Sequence, residues 1–525
     1  PPEEPQRLAE LIRDSGAESV AVCLLFSYLD PSHEQALADA LRERLDGVHV
    51  SASHEVLPRF REYERCSTTT IDAYLSPLLG RYLDTLSGSA ATAGLPKPLV
   101  MQSSGGVAEA DEAARAGAWS VLSGPAGGAV GAGLLARVSG DGNAIGLDMG
   151  GTSCDVCVIE DGAVRRTESR EVDGRPIQLP MVDVHTVGAG GGSIGWRDRG
   201  GALRVGARSA GAEPGPACYG RGGTEPTVTD ANLLLGNLGH DSRLAGNVEL
   251  DVDAAEAAVA GLARSLGLEP LQVAEGIVRV ANQEMVRALR VVTVERGVDP
   301  RGFALLPFGG AGPMHAVAIA AELGIGHVLC PRAGGVLSAL GLCASERRRD
   351  TAQTVMLSGG ELSAARLGEE VAEMRARLGG DGGKTEVVYE LRYAGQAFEL
   401  PVPGPPDPDP GDLVERFERA HLDLYGHSDP DGEVVLVSIR VASVEPGPPL
   451  SPSAPGPGQT TERSRRVRFA GEWAEAMVVR GEPAAGLERP GPALFELPES
   501  TLVVPPGWTA TVDDAGTIAV VADGG

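Results

Sequence analysis

The sequence predicts an α/β protein with a strand-rich C-terminal region. Three observations support this: a strand–helix–strand unit near the start, apolar strands that run into glycine turns in the middle, and short strands between Pro/Gly turns after about residue 350. With 525 residues, of which 42% are hydrophobic, the chain can build about three domains of roughly 100–200 residues each. No apolar run approaches the roughly 18 residues that a membrane-spanning helix needs.

The first part of the chain supplies the α/β unit. Ala21–Tyr28 is a continuous apolar run, which is typical of a buried parallel strand. Pro31–Leu45 has helical periodicity, and Val48–Ser51 predicts a second strand. A long helix is then predicted over Thr68–Leu86.

The middle of the chain alternates apolar strands with glycine turns. Ile145–Asp148 is followed by a turn that contains two glycines, and the dipeptide at 161–162 predicts a hairpin between two apolar strands. Leu271–Thr293 is predicted to be a long helix, and Leu305–Pro307 leads into a second glycine turn that opens another helix.

The tail changes character after about residue 350. Only Asp412–Leu424 is predicted to be helical there. The predicted strands of the tail are Glu386–Leu391, Phe398–Val402, Val434–Val444, Arg466–Phe469 and Ala476–Arg480. We therefore predict three regions: a remnant of a first α/β lobe at 1–50, an α/β nucleotide-binding domain at 51–350, and a β-rich domain at 351–525.

The charge of the chain restricts its partners. Lys+Arg is 45 and Asp+Glu is 72, so the formal charge is −27, and such an acidic surface repels phosphate backbones and anionic lipid heads. We therefore predict neither nucleic-acid nor membrane binding. Seven scattered cysteines without ligand-like spacing favour a reducing compartment, and the acidic, proline-rich start does not resemble a signal peptide, which together predict a cytoplasmic protein.

The first glycine turn is the most informative segment. An aspartate lies at the end of the predicted strand, and the two glycines that follow let the backbone close around an anion. Two hydroxyl side chains next to the glycines add hydrogen-bond donors. The two aspartates that flank the turn could hold Mg²⁺ or position a water molecule. The alternative is an ordinary hairpin whose turn contains two glycines. The residues of this predicted phosphate site are Asp148, Gly150, Gly151, Thr152, Ser153 and Asp155.

The second glycine turn follows a strand and opens a helix. Gly309, Gly310 and Gly312 leave the backbone free to pass flat against a base or a ribose, and a helix N-terminus favours negative charge. The alternative is a tight connection between a strand and a helix.

A metal site is a further possibility. Asp183 and His185 alternate along a strand and therefore lie on one face. With Asp230 as the favoured third ligand, ahead of Asn232 and Glu284, they would suit Zn²⁺ or Mn²⁺. The alternative is that Asp183 caps a turn and that His185 is a half-buried, hydrogen-bonded side chain.

These runs, in this order, resemble the hydantoinase A/5-oxoprolinase family. That family has a strand ending in Asp-Met-Gly-Gly-Thr-Ser, matched at Asp148–Ser153, and a Pro-Phe-Gly-Gly-Ala-Gly-Pro loop, matched at Pro307–Pro313. Further matching runs are His54–Thr68, Ser120–Gly128, Gly188–Trp196, Glu213–Tyr219, Thr227–Gly236, Arg392–Gln396 and Leu424–His427.

The resemblance implies the fold shared by actin, sugar kinases and Hsp70-type ATPases, in which two related α/β domains clasp ATP. It implies ATP-dependent opening of a cyclic amide of the hydantoin, N-methylhydantoin or 5-oxoproline type, and it maps the phosphate loop to Asp148–Asp155 and the adenosine loop to Gly309–Gly312. It also implies a second, hydantoinase B-type subunit or a homo-oligomer. The alternatives are the ATP-binding subunit of an acetone-type ketone carboxylase and a non-catalytic nucleotide-gated module.

The chain departs from the family pattern at two points. The family has an earlier phosphate loop of the type Asp-x-Gly-Gly-Thr-Phe, and none occurs before residue 100, so we expect the first lobe to be incomplete. Cys154 stands where Thr or Ser is expected, and because a thiol is a weaker donor than a hydroxyl, a weaker grip on phosphate is expected.

Overall fold

A computed structural model describes residues 3–241, 249–379, 383–450 and 459–524. The chain divides into two compact units, each assembled from three separate segments. The first unit comprises Pro1–Ala126, Arg166–Val182 and Ser345–Pro448, and the second comprises Gly127–Arg165, Asp183–Ala344 and Pro449–Gly525. The division of the sequence at residues 50 and 350 stays a prediction.

The opening α/β unit forms as predicted, with one correction. Ser19–Val22 and His49–Ala52 pair in parallel, and the helix between them spans Ser32–Arg44. The first strand is much shorter than the predicted Ala21–Tyr28. It ends early because the Leu24 amide donates to the buried Glu34 carboxylate at 2.6 Å and because Phe26 turns the chain with a φ of 63°.

A six-stranded sheet forms the rest of the first unit. Two helices, Ala364–Leu378 and Pro410–Tyr425, pack on one of its faces around the buried rings of Tyr389 and Phe417. The sequence prediction of a single helix in the tail was therefore wrong, because Ala364–Leu378 is amphipathic and capped by Ser363. The strands of the sheet, in spatial order, are Leu400–Gly404, Lys384–Tyr393, Val434–Glu445, Arg347–Ser358, Val107–Glu109 and Leu99–Met101.

One long helix and several shorter helices and strands complete the first unit. The long helix, Glu62–Thr92, contains the predicted Thr68–Leu86 and extends it at both ends. The other helices of the unit are Glu4–Ser15, Ser53–Val56 and Ala110–Arg115, and its short strands are Arg166–Thr167, Arg170–Val172, Arg175–Ile177 and Met181–Val182.

A nine-stranded mixed sheet organises the second unit. Along its main path the strands are Val184–Val187, Cys154–Glu160, Ala144–Met149, Ala304–Phe308, His327–Cys330, Ile518–Ala522, Trp508–Val512 and Glu488–Pro490, with Ala163–Val164 paired beside Cys154–Glu160. The helices of this unit are most of Ser123–Ser139, and Val228–Leu234, Val252–Leu266, Pro270–Val292, Gly312–Leu323 and Leu337–Ala344. The predicted hairpin at residues 161–162 and the predicted long helix are therefore confirmed.

The C-terminal part of the chain is rich in strands, as predicted. Besides the three strands that it adds to the large sheet, it forms a four-stranded sheet of Gln459–Phe469, Glu472–Glu482, Ala493–Glu496 and Thr501–Val504. A separate antiparallel pair, Ser193–Arg197 with Leu203–Ser209, completes the strands of the second unit that the structure describes. Within the described residues, no helix is long and apolar enough to cross a membrane.

Strand register places the two glycine turns at one end of the large sheet. Ala144–Met149 lies between the antiparallel Cys154–Glu160 and the parallel Ala304–Phe308, and its side chains at 145 and 147 are fully buried in the core. In this register Asp148 lies opposite both Asp155 and Phe308. Both glycine turns therefore leave the sheet next to Asp148.

Candidate functional site

The first predicted loop is hydrogen-bonded to a second glycine-rich run of the chain. The amide of Gly150 donates to the carbonyl of Ser153 at 3.1 Å, which closes the turn. The amides of Gly191 and Gly192 then donate to the carbonyls of Gly150 and Gly151, at 3.0 and 2.7 Å. The carbonyls of Gly150, Gly151 and Ser153 are therefore satisfied by protein, while among the described residues the amides of Gly151 and Thr152 have no protein acceptor.

The two glycines of this loop are not explained by crowding. A Cβ atom placed on Gly150 or Gly151 would meet no protein atom within 4 Å, and neither residue has a positive φ. Backbone amides without a protein acceptor, next to open space, suit an anion, because backbone N–H groups carry fixed partial positive charge. The geometry is therefore that of a loop with room for a ligand.

The second predicted loop packs directly beside the first. Gly309 has a φ of 74°, and a Cβ atom there would lie 2.5 Å from both Asp148 Oδ1 and the carbonyl oxygen of Met149. The amide of Ala311 donates to that same carbonyl at 3.0 Å. Gly312, the third glycine of the loop, begins the helix Gly312–Leu323. Glycine is required at 309 on both steric and conformational grounds.

One cavity, with a volume of about 750 Å³, joins the two loops. Gly150, Gly151 and Thr152 line it from one loop, and Gly310 and Ala311 from the other. A volume of this size is in the range of small-molecule and cofactor sites. Further lining residues are Gly191, Gly192, Tyr219, Arg221, Thr229, Arg480 and the stretch 496–501.

Asp148 and Asp155 form a carboxylate pair at the end of the sheet. They are direct cross-strand neighbours, so their side chains lie on the same face. Burial and the nearby charge of Asp155 raise the pKa of Asp148 to about 6. Thr186, on the adjacent strand, donates its hydroxyl to Asp155 Oδ1 at 2.5 Å. A pair of this kind could bind a divalent cation or accept a proton.

Cys154 lies in the core and not at the loop surface. Its side chain is fully buried, and burial raises the pKa of its thiol well above the usual value. The weaker phosphate grip that the sequence suggested therefore has no basis in a direct contact, because the thiol packs among apolar residues such as Ile145 and Val156.

The structure does not bring the predicted metal ligands together. Asp183 is ion-paired with Arg296, and His185 lies half-buried on the strand Val184–Val187. Asp230 is fully buried and occupies the third helical position (N3) of a capping box whose N-cap residue is Thr227. Among the described residues, no group of three His, Cys, Asp or Glu side chains could hold a metal ion.

Asp230 instead anchors the backbone near the cavity. Its carboxylate accepts hydrogen bonds from the amides of Cys218 at 2.7 Å, Thr227 at 2.8 Å and Ala217 at 3.2 Å, and from the Thr227 hydroxyl at 2.8 Å. The Thr-x-x-Asp spacing is the sequence signal of a capping box, which the metal interpretation overlooked.

Several residues of the cavity wall were not predicted. Thr229 holds the glycine run in place, because its hydroxyl and its amide both donate to the carbonyl of Gly191 at 2.8 Å. Thr186 follows one residue after the predicted pair at 183 and 185, and strand alternation places it on the opposite face, which is the face of Asp155. No local pattern marks Arg221 or the stretch 496–501, since only the tertiary fold brings them to the cavity.

Solved structures define the class of protein. The crystal structure of ATP-dependent caprolactamase from Pseudomonas jessenii matches with a TM-score of 0.84 and 33% identity, covering 99% of this chain and 79% of that one. The nucleotide-free structure of acetone carboxylase matches with a TM-score of 0.79 at 24% identity, over 99% of this chain and 78% of that one. The protein has the ATPase fold that the sequence resemblance implied, with a strand-rich C-terminal region.

The chain belongs to the hydantoinase/oxoprolinase family of enzymes. The hydantoinase/oxoprolinase sequence model matches residues 65–351, and the model of that family's N-terminal region matches residues 2–45. Caprolactamase subunit alpha of Pseudomonas jessenii is 36% identical over 97% of this chain and 77% of its own length. An uncharacterized protein of Methanocaldococcus jannaschii is 38% identical over 99% and 79%, and 5-oxoprolinase 1 of Arabidopsis thaliana is 35% identical over 97% and 42%.

Proposed function

We propose that this protein is an ATP-dependent hydrolase that opens a cyclic amide. Its relatives include a caprolactamase subunit and a 5-oxoprolinase, both named for the opening of a lactam ring. The observation that carries the proposal is the cavity of about 750 Å³ that both glycine loops line. These loops leave the sheet next to Asp148, which pairs across the strands with Asp155.

Each part of ATP has a separate place in the cavity. The phosphates lie on the first loop, where the free amides of Gly151 and Thr152 and the hydroxyl of Thr152 line the cavity and donate to phosphate oxygens, and Ser153 follows them in the loop. The adenosine lies along Gly310 and Ala311, where glycine leaves the backbone flat enough for a ring to approach.

The carboxylate pair fits Mg²⁺. Carboxylate oxygens are the ligands that this ion prefers. Burial, together with the charge of Asp155, raises the pKa of Asp148, and a divalent cation would favour the charged form of both carboxylates. Asp148 and Asp155 would hold the ion, and Thr186 orients one oxygen of Asp155. When bound, Mg²⁺ would neutralise charge on the phosphates.

The reaction overcomes the low reactivity of a planar amide by phosphorylating its oxygen. The γ-phosphoryl group passes to the lactam oxygen while its bond to ADP breaks. Water adds to the activated ring carbon, the C–N bond breaks with a proton delivered to nitrogen, and a second water releases phosphate from the acyl phosphate. The products are ADP, phosphate and the open amino acid, and the donors of the first loop stabilise the charge on the transferred group.

We also propose that a second, different subunit completes the enzyme. The relative from Pseudomonas jessenii is itself named as one subunit of a caprolactamase, which supports an assembly of more than one chain. Co-purification of a second polypeptide, followed by native mass measurement, tests this point separately from the chemistry.

Two other functions are distinguishable by their products. The likeness to acetone carboxylase is one of fold, and ketone carboxylation would appear as ATP hydrolysis that requires acetone and bicarbonate together. A non-catalytic nucleotide-gated module would bind ATP and turn over no ring. We favour the hydrolase because caprolactamase subunit alpha is 36% identical over 97% of this chain, whereas the gamma subunit of acetophenone carboxylase, at 34% identity, is matched over 60% of it.

A substitution in the first loop tests the site. Gly151→Val fills the cavity without meeting protein, since no atom lies within 4 Å of the added Cβ. We expect at least about a tenfold loss of ATP affinity, because the side chain displaces phosphate, with an unchanged melting temperature. Gly326→Val, also without an atom within 4 Å of its Cβ, is the matched control. ATP binding by Gly151→Val equal to that of the control would overturn the proposed site.

A further inference from the structure

The charged side chains that line the cavity differ in whether they form ion pairs. Two arginines, Arg221 and Arg480, face the same space as Asp241, Glu496 and Glu499. The Arg480 Nε donates to Glu496 Oε2 at 2.6 Å, and its Nη1 lies 3.1 Å from Asp241 Oδ2. Arg480 is therefore already balanced by two carboxylates of the protein.

Arg221 has no such partner. Its side chain is exposed on the cavity wall, and within the part of the chain that the structure describes it forms neither an ion pair nor a hydrogen bond. Arg221 is also the sole unpaired cation among the described residues that line the cavity. In a protein with a formal charge of −27, an unpaired cation that lines the same cavity as a candidate phosphate loop is a specific electrostatic feature.

The backbone around Arg221 is fixed in place. Gly220 and Gly222 flank it with φ values of 65° and 94°, which L side chains rarely adopt. Gly223 passes so close to the carbonyl oxygen of Gly215 that a side chain there would overlap it. On the other side, the buried carboxylate of Asp230 binds the amides at 217 and 218. The turn that carries Arg221 is therefore anchored at both ends.

We propose that Arg221 binds the terminal phosphates of ATP and stabilises the charge on the γ-phosphoryl group as it is transferred. This inference rests on the proposed function, because it takes the cavity as the ATP site. A guanidinium presents several donors in a planar fork that matches phosphate oxygens, and it stays charged at every working pH. Asp230 then acts as a positioning residue for the arginine turn.

The test compares Arg221→Ala with a matched control, Arg199→Ala. Both arginines are exposed, unpaired within the described chain and followed by two glycines, but Arg199 lies outside the cavity lining, between the strands Ser193–Arg197 and Leu203–Ser209. Calorimetric titration of each variant with ATP and with AMP separates phosphate contacts from nucleoside contacts. We expect Arg221→Ala to bind ATP about ten- to a hundredfold more weakly and to bind AMP unchanged.

Two further readouts sharpen the result. The logarithmic salt dependence of ATP affinity becomes shallower in Arg221→Ala, since one fewer cation contacts the phosphates. Arg221→Lys restores part of the affinity, because it keeps the charge and loses the fork.

Each other outcome overturns the inference in a recognisable way. Wild-type protein that binds ATP, together with an Arg221→Ala variant that binds it like Arg199→Ala, contradicts the role of Arg221 and leaves the proposed function standing. An equal loss of ATP and AMP affinity assigns Arg221 to the nucleoside or to folding, and contradicts its role at the phosphates. Wild-type protein that binds no ATP contradicts both.

Discussion

Gly190 lies against the backbone of Gly151, so close that a Cβ atom on Gly190 would be 2.6 Å from the carbonyl carbon and oxygen of Gly151 and from the amide nitrogen of Thr152. The glycine-rich run 188–192 thus sets the shape of the candidate phosphate loop from behind, at a distance that tolerates no side chain. Hydrogen bonds from Gly191 and Gly192 to the loop carbonyls complete this backbone support.

This contact predicts that Gly190→Ala distorts the phosphate loop. The added methyl must displace the loop backbone, so we expect ATP affinity to fall at least about tenfold and the melting temperature to decrease. Gly188→Ala is the matched control within the same run, because its Cβ would make ordinary contacts of 3.7 Å or more with Ala207. Calorimetry and thermal unfolding check both variants, and an alanine at 190 that binds ATP normally would show that the loop shape does not matter.

Asp148 should impose a stability cost that depends on pH. Its pKa in the folded protein is about 6 against an ordinary value of 3.8, so the folded state disfavours the charged carboxylate. The cost is absent well below pH 3.8, where both states are protonated, grows as pH rises from 3.8 to about 6, and is constant above that. Asp148→Asn removes it, so the variant should be more stable by up to about 3 kcal/mol at pH 8 and by about half as much at pH 5.

Urea unfolding at the two pH values, without nucleotide or metal, measures this difference. The exposed Asp514→Asn serves as the control and should change little at either pH. The same Asp148→Asn variant should lose catalytic activity, because the carboxylate pair is broken. A variant that is less stable than wild type at pH 8 would contradict the assignment of a strained charge at Asp148.

Asp230 should contribute to stability and not to metal binding. Asp230→Ala leaves buried backbone donors at 217, 218 and 227 without an acceptor, so we expect a loss of about 3–5 kcal/mol in the free energy of unfolding. Elemental analysis of wild type and variant should give the same Zn²⁺ and Mn²⁺ content. Stoichiometric metal in the wild type that disappears from the variant, with stability unchanged, would restore the metal interpretation.

Thr186 should act through Asp155. Thr186→Val keeps the size and strand preference of the side chain and removes the hydroxyl that donates to Asp155 Oδ1. We expect kcat to fall about tenfold with little change in the KM for ATP, because the hydrogen bond orients a carboxylate and does not contact the nucleoside. Thr186→Ser should recover most of the rate. A valine variant as active as the wild type would contradict a role for Thr186 in the site.

The parts of the site that depend on local patterns were predictable from sequence. Two glycine turns, each after a buried strand, identified the loops at 150–153 and 309–312, because strand ends and glycine turns are local signals. The close approach of those loops was not predictable, since it depends on the parallel register that sets Phe308 beside Asp148. The register between two strands that are distant in sequence is set by the packing of the whole sheet, and no local sequence pattern reveals it.

The metal prediction failed because a local pattern does not reveal contacts between residues that are distant in sequence. Alternation along the strand suggested a shared face for Asp183 and His185, but the partner of Asp183 is Arg296, which lies far away in sequence. Likewise, Ala21–Tyr28 looked like one apolar strand because its composition is apolar, yet a buried glutamate ten residues later draws the backbone of Leu24 out of the strand direction. In both cases a long-range polar contact decides the structure.

The central claim is that this protein couples ATP hydrolysis to the opening of a cyclic amide. The most direct measurement is phosphate release in parallel with amino-acid formation, for caprolactam, 5-oxoproline and hydantoin in turn, by the protein purified with any second subunit that accompanies it. The account predicts that one of these rings stimulates phosphate release and that phosphate and open amino acid appear in equal amounts. Ring opening without ATP, or phosphate release that no cyclic amide stimulates, would contradict it.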